Sequence, residues 1–313
     1  MRKSPLVAIV VLNYNGEHLL RQCIDALYET DYPKNRYNVI VVDNASTDRS
    51  VHIIKSEYPK VKIVHSKKNI GVAANNFGVE FALKGKKTDY VVLLNNDVIV
   101  QKHWLTELIK ASESDPTIGA FGPTVLNSNG TVQSLGGTVD LIGTPYLITR
   151  HKSTGVVDVS WISACCIMLK AEALNRLEYL VDPRFFIFYD EIDYCWRLKL
   201  EGYRTVFVPK AAVMHKGSVT IKTSNKKYNK FIMEHYKNKI FTFKKNFRMP
   251  LKQVLLFPMF FTTLILVSYW ALRNQWGYGT SILKYFFTKE NQTKGLNNIP
   301  LKKQLALLNL NVI

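Results

Sequence analysis

The sequence contains neither of the two common glycine-rich phosphate loops, GxGxxG or GxxxxGK[ST], so any phosphate it binds is held another way. Its four cysteines, Cys23, Cys165, Cys166 and Cys195, form no CxxC and no Cys/His spacing suited to zinc. Adjacent Cys165 and Cys166 are poorly placed to bridge each other, so reduced, buried thiols are expected. No internal repeat or low-complexity stretch occurs, which excludes solenoids and disordered tails. Acids are scarce: 24 Asp and Glu stand against 42 Lys and Arg, a net charge of +18. Between Lys216 and Lys252 the one acid is Glu234. That excess attracts anionic partners, whether nucleic acid, phosphorylated ligands or phospholipid head groups, although a solvated basic face reads the same way. No RNA- or DNA-binding motif accompanies it, so a nucleic-acid partner is not expected. The apolar run at 6–12 is short and ends in Asn13-Tyr14-Asn15-Gly16 with no small-residue cleavage site. It reads as a buried strand rather than a signal peptide.

What is present is an alternation. Apolar, β-branched runs at 6–12, 39–42, 61–64 and 90–94 are separated by helical spacing: Leu19, Leu20, Cys23, Ile24 and Leu27, then Val51, Ile53 and Ile54, then a helix over 72–83. Strand alternating with helix implies an α/β domain, with an open, mostly parallel sheet and helices on both faces. Ligands of such sheets bind at the carboxyl ends of the strands. Polar clusters end all four runs: Asn13/Asn15, Asp43/Asn44/Ser46, Asn69/Gly71 and Asn95/Asn96/Asp97. Four polar ends on one rim predict a polar ligand site. Residues 117–159, broken by Gly and Pro, read as loops and hairpins over the cleft. A buried strand is expected at 161–170, a helix at 190–201 and a strand at 205–208.

Three constellations carry chemistry. Asn95-Asn96-Asp97 closes an apolar strand, where Asp97 can hold a hard cation that neutralises a diphosphate; an acid there also serves as a helix cap. Asp190, Glu191 and Asp193 follow the apolar stretch 185–189. Burial and like-charge crowding raise a carboxylate toward the range of a general base, while acids at a helix start also favour the macrodipole. Arg197 lies one turn from Asp193 and can neutralise it. His215 follows a strand, where a neutral imidazole can ligate the same cation or touch phosphates, or be structural.

In order and spacing, these stretches resemble glycosyltransferase family 2, in its rhamnosyltransferase-like branch, over residues 5–220. The matching stretches are Ile9 through Gly16, Val41 through Asp48, Asn69 through Asn76, Leu93 through Asp97, Trp161-Ile162-Ser163-Ala164, Tyr189 through Arg197, and Val208-Pro209 with His215. The resemblance implies the Rossmann-like GT-A fold and an inverting transfer from a nucleotide-diphosphate sugar. It implies a divalent cation (Mg2+ or Mn2+) at Asp97, where Asn95 replaces the first acid of the family's DxD. Asn13, Asn15, Asp43 and Ser46 would line the base and ribose pocket, with Asn69, Gly71 and Asn75 completing it. The base would be Glu191 by register, with Asp190 the alternative because the usual order of the acid pair is inverted. A glycan or polyprenyl-linked acceptor is implied, as in cell-surface polysaccharide synthesis.

From 254 to 272 no charge appears, a length within the range of a membrane span. Pro258, Thr262, Thr263 and Ser268 also allow a kinked, half-embedded helix, and Trp270 and Trp276 suit an interface. A buried core helix is the third reading. The expected division is a GT-A domain at 1–220 and a basic, apolar, membrane-associating helical region at 221–313, peripheral or anchored by one helix at the cytoplasmic face of the cell membrane. The competing class is a non-catalytic basic protein that binds nucleic acid or sugar. A polymerising synthase would need several spans, which are absent from the sequence.

Overall fold

The computed structural model describes residues 4–85, 87–217, 225–273, 276–289, 293 and 296–308, with backbone alone at 225–229 and 297. Residues 1–3, and 218–224 of the basic segment, lie outside the described residues. β1 (Val7–Asn13), α1 (Glu17–Tyr28), β2 (Tyr37–Asp43), α2 (Ser50–Glu57), β3 (Lys62–His65), α3 (Asn75–Leu83) and β4 (Tyr90–Asn95) alternate as the sequence predicts, with a 3-10 turn at Gly71–Ala74 opening the third helix. Their strands are parallel, in the order β3-β2-β1-β4. Ile9 and Val11 of β1 join one core with Leu20 and Ile24 of α1. Ala8 and Val10 join the opposite core with Ala74 and Val79. A strand covered on both faces needs an unbroken apolar run, which is what the sequence supplies. The register sets Asn13 beside Asp43, Asp43 beside His65 and Leu12 beside Asn95, so the polar strand ends share one rim.

Past β4 the chain departs from expectation. After β5 (Val98–Val100) and α4 (Trp104–Ser114), segment 117–159 begins not with a loop but with β6 (Ile118–Leu126), a strand inside the sheet. Its glycines serve close packing rather than turns. A Cβ on Gly119 would lie 2.7 Å from Tyr203 Cβ, and one on Gly122 would lie 2.5 Å from Ile162 Cγ2. The short strands β7 (Val132–Ser134), β8 (Gly137–Val139), β9 (Pro145–Leu147) and β10 (Val157–Asp158) match the hairpins expected there. β11 (Cys166–Lys170) is half the expected strand and runs antiparallel to both neighbours, β4 and β6. After α5 (Ala171–Leu174) and α6 (Asp190–Leu200), β12 (Arg204–His215) continues far beyond 208 along β6. It does so through an irregularity between Val208 and Ala212, where Pro209 cannot donate to the ladder. The extension pairs His215 with Val98 of β5 and brings it to the rim. All four cysteines are free and buried.

The C-terminal helices are α7 (Asn225–Asn246), α8 (Leu251–Leu272), α9 (Trp276–Phe287) and α10 (Leu301–Leu305). Ile240, Phe243, Phe247, Leu255 and Met259 belong to the same buried cluster as Val10, Ile167 and Trp196, so the core continues across residue 220. Trp196 of α6 meets Phe243 and Phe247 edge-on at 5.2 and 5.4 Å. Polar groups fix the same junction. Lys245 Nζ lies 2.7 Å from Asp193 and 3.0 Å from Asp182; Arg197 Nε lies 2.9 Å from Asp193, and Asn246 donates to it at 2.9 Å. Asp193 is fully buried. This corrects its place among the catalytic acids: both its oxygens are spent tying α6 to α7.

Burial alone would raise the Asp193 and Asp182 carboxyls. The cations around them outweigh it, Arg197 and Lys245 for Asp193 and Arg184 and Lys245 for Asp182, and hold both below the ordinary carboxylate range. Depressed carboxylates contribute stability above their unfolded pKa of about 3.9 and lose it as pH falls toward their folded values. Urea midpoints are therefore expected to drop below about pH 4. Lys245→Met, which leaves buried charge without its partner, is expected to cost about 3–5 kcal/mol in the same assay. An unchanged midpoint would refute the role given to the cluster.

Candidate active site

The rim is braced from beneath by amides. Asn13 is fully buried; its Oδ1 accepts from Asn96 Nδ2 at 2.7 Å and its Nδ2 donates to Ser46 Oγ at 3.2 Å. It supports the pocket rather than lining it, a correction to its expected ligand contact. Gly16 permits the arrangement, since a Cβ there would fall 2.1 Å from Asn96 Nδ2. Ser46 Oγ also accepts from the Asn15 backbone at 3.0 Å, and Asn15, at φ 50°, accepts from Thr47 N at 2.8 Å. Asp43 is buried; its Oδ1 accepts from Ser46 N at 3.2 Å, and its Oδ2 lies 3.3 Å from His65 Nδ1.

Asn44, quoted within a motif but given no role there, holds the third loop. Its Nδ2 donates to Asn69 Oδ1 and to Gly71 O, both at 3.0 Å, and its Oδ1 accepts from Ile70 N at 3.1 Å. Gly71 has φ +65°, and a Cβ on it would lie 1.9 Å from the Phe186 carbonyl oxygen. Val72 N donates to that oxygen at 2.9 Å. The loop at 69–72 is thus in backbone contact with the segment that leads into the acids. Asn75 is buried with Oδ1 unpartnered, close behind that loop.

The acids enter on a strained turn. Phe188 and Tyr189 adopt φ 67° and 66°, left-handed values that bulky residues seldom hold. Asn238 of α7 donates to the carbonyls of Ile187 at 2.8 Å and Phe188 at 3.0 Å, and Tyr189 donates its hydroxyl to Gly143 O. These bonds hold the turn that swings Asp190 and Glu191 into place. Asp190 is 2% exposed, while Glu191 is partly open to solvent. Burial raises both carboxyls, Asp190 far more, because the Glu191 charge adds to the effect; the hydrogen bond between them favours ionised Glu191. Of the two, Asp190 is thus the acid that keeps its proton to the higher pH. One oxygen of each carboxyl is buried without a partner.

Asp97 and His215 meet at the same rim. His215 Nε2 is 3.3 Å from Asp97 Oδ1, an oxygen that is buried and accepts no hydrogen bond. His215 Nδ1 lies 2.9 Å from Gln133 Oε1. In the tautomer whose Nδ1–H donates to Gln133, the Nε2 lone pair is presented toward Asp97. A carboxylate oxygen left bare beside an imidazole lone pair suits a divalent cation. Among the described residues no third His, Cys, Asp or Glu joins them. The recess beside Asn96 and Asp97 is floored by Leu19, Gln22 and Cys23. The strand end that carries Asp97 is bonded to the segment before β11, Asn95 N donating to Cys165 O at 2.9 Å. A separate cavity lined by Tyr28, Lys34, Tyr37 and Lys60 lies at the other end of β2 and shares no residue with the rim.

Sequence reasoning missed Gln133, Asn238 and Lys245. They come from a β-ribbon and from α7, far along the chain, and no local pattern marks a residue whose role is to hold another.

Residues 8–177 match the family model described as Glycosyl transferase family 2. N-acetylglucosaminyl-diphospho-decaprenol L-rhamnosyltransferase of Mycobacterium tuberculosis is 25% identical over 239 residues, covering 68% of this chain and 76% of that protein. O-antigen biosynthesis protein RfbC of Myxococcus xanthus is 28% identical over 236 residues, 70% of this chain. The chain spans 18% of RfbC's length and 25% of another curated relative's. Mannosyltransferase PcManGT from Pyrobaculum calidifontis, solved in complex with GDP-Man and Mn2+, superimposes with a TM-score of 0.54 at 19% identity. That likeness covers 98% of this chain and 81% of PcManGT, and it shows the GT-A fold. With its strand-end rim on a GT-A sheet and a family match over more than half its length, the chain belongs to glycosyltransferase family 2.

Proposed function

We propose that the protein is an inverting glycosyltransferase of the rhamnosyltransferase-like branch. It moves a sugar from a nucleotide-diphosphate donor to a hydroxyl of a glycan or polyprenyl-linked acceptor in cell-surface polysaccharide synthesis. It works at the cytoplasmic face of the membrane, with the membrane surface as a partner. The observation that carries the reading is the acid pair. Glu191, partly open to solvent, and buried Asp190 sit side by side after a left-handed turn, and the segment leading into that turn bonds the loop at 69–72 through Phe186 O and Val72 N.

Asn15, Asp43, Ser46, Asn69, Gly71 and Asn75 form or back the nucleotide pocket, and Asn96 and Asp97 face the diphosphate. Asp97 and His215 would hold a divalent cation, Mg2+ or Mn2+, which when bound supplies charge neutralisation for the diphosphate. Glu191 takes the proton of the acceptor hydroxyl as that oxygen bonds to the anomeric carbon. The bond from that carbon to the diphosphate oxygen breaks on the opposite side, and the nucleoside diphosphate departs. One displacement inverts the centre. Asp190, by donating to Glu191, keeps the base ionised.

Glu191→Gln is expected to lower kcat by about 10²–10⁴-fold with donor KM little changed; full activity would exclude Glu191 as the base. In the wild type, the acid limb of kcat should lie above the ordinary Glu value of about 4.3. Asp190→Leu removes the bond that favours ionised Glu191, so this limb should move to higher pH. Gln133→Leu frees the His215 ring and is expected to weaken Mn2+ binding about 10–100-fold by calorimetry. Unaltered affinity there would detach His215 from the metal.

A further inference from the structure

From the geometry of the C-terminal helices we infer that α8 and α9 form a hairpin lying flat on an anionic phospholipid bilayer, with α8 half-embedded and not crossing it. This deepens the membrane-surface reading above and rests on it for the choice of lipid as occupant. By length and composition alone, α8 passes for a span. Its packing says otherwise. Leu251, Leu255 and Met259 are buried in the same cluster as Phe243 and Phe247 of α7, so the first half of the helix lies along the catalytic domain. The remaining stretch from Phe260 to Leu272 is about 20 Å long, short of a hydrocarbon core of about 30 Å.

The return path is shorter still. Phe260 meets Phe286 at 5.3 Å, and Trp270 meets Tyr278 at 5.8 Å. A Cβ on Gly279 would lie 2.8 Å from Val267 Cγ1. These pairs set α9 antiparallel along the second half of α8. The 12 residues of α9 cover about 18 Å. By Thr288 the chain is already back on α7: Lys244 Nζ donates to the carbonyls of Tyr285 at 2.8 Å, Phe286 at 3.2 Å and Thr288, and Thr293 N bonds Lys245 O at 2.9 Å. A crossing would also carry Lys284, exposed on α9, into hydrocarbon.

The outward face is mostly apolar, with Ser268 an exposed polar residue within it. Val254, Phe257, Phe261, Ile265, Tyr269 and Leu272 recur at helical spacing and are 47–89% exposed, and Trp276 and Phe287 extend the patch at 59% and 78%. What covers this face is indicated by charge. From residue 235 to 313 there are twelve Lys and Arg and a single acid, Glu290. Exposed Arg273, Lys284 and Lys289 border the apolar stripe. An aromatic, apolar face rimmed by cations complements anionic head groups over acyl chains.

The test uses the full chain. It should co-sediment with vesicles of equal parts phosphatidylcholine and phosphatidylglycerol, and poorly with phosphatidylcholine alone. F257E/I265E should lower the bound fraction about tenfold or more while sparing transfer to a soluble acceptor analogue and the melting transition. R273E/K284E/K289E, which keeps every apolar side chain of the face, should lower binding to the anionic vesicles alone. In sealed vesicles from expressing cells, R273C should react with an impermeant maleimide from the same side as K60C on the catalytic domain. Labelling from opposite sides, or vesicle binding indifferent to both variants, overturns the inference. So does a dimer in solution that F257E/I265E dissolves, because the face then belongs to a second copy. Absence of transfer to any acceptor would refute the enzymatic reading and leave the vesicle result standing.

Discussion

A buried amide holds the rim of this protein together. Asn13 sits at the end of the central parallel strand, hidden from solvent, with its oxygen bonded to Asn96 and its nitrogen to Ser46. A buried amide left unpaired would cost as much as a lost hydrogen bond, so both bonds are obligatory and both neighbouring loops are fixed by them. Asn44 repeats the device one strand over, gripping Asn69, Ile70 and Gly71. The polar pocket is thus a set of loops pinned from below, which leaves backbone and half-exposed side chains to face a ligand. Pre-organisation of this kind lets a site recognise a polar substrate without ordering itself first.

The second dependence runs through α7. That helix holds the turn before Asp190 and Glu191 through Asn238, receives Asp193 on Lys245 and Asn246, and carries the hairpin of α8 and α9. The basic composition of the C-terminal region therefore has two unlike parts. Lys245 is buried and structural, whereas Arg273, Lys284 and Lys289 are exposed. A net charge cannot separate them; only the packing does.

The parallel half of the sheet was legible because burial on both faces demands unbroken apolar runs, and the strand-end clusters of Asn, Asp and Ser marked the rim. Reading Asn13 as a ligand contact failed because amides that brace and amides that bind have the same sequence signature. β6 was hidden because Gly119 and Gly122, which resemble turn residues, instead admit Tyr203 and Ile162 to the backbone. Asp193 was grouped with Asp190 and Glu191 by proximity in sequence. Its oxygens, however, are taken by Lys245 and Asn246 of α7 and by Arg197 of its own helix, partners that spacing within the acid cluster does not reveal. The pairing of His215 with Asp97 depends on β12 continuing through the irregularity at Pro209, which periodicity does not register.

The backbone contact between Gly71 and Phe186 has a consequence for redesign. With the Val72 amide bonded to the Phe186 carbonyl and no room for even one methyl group between them, the two loops form a single cassette. Residues 69–76 could not be exchanged alone for those of another protein. The graft would have to keep a glycine at 71 or bring its own copy of 183–189, and so transplant the acid turn together with the rim loop.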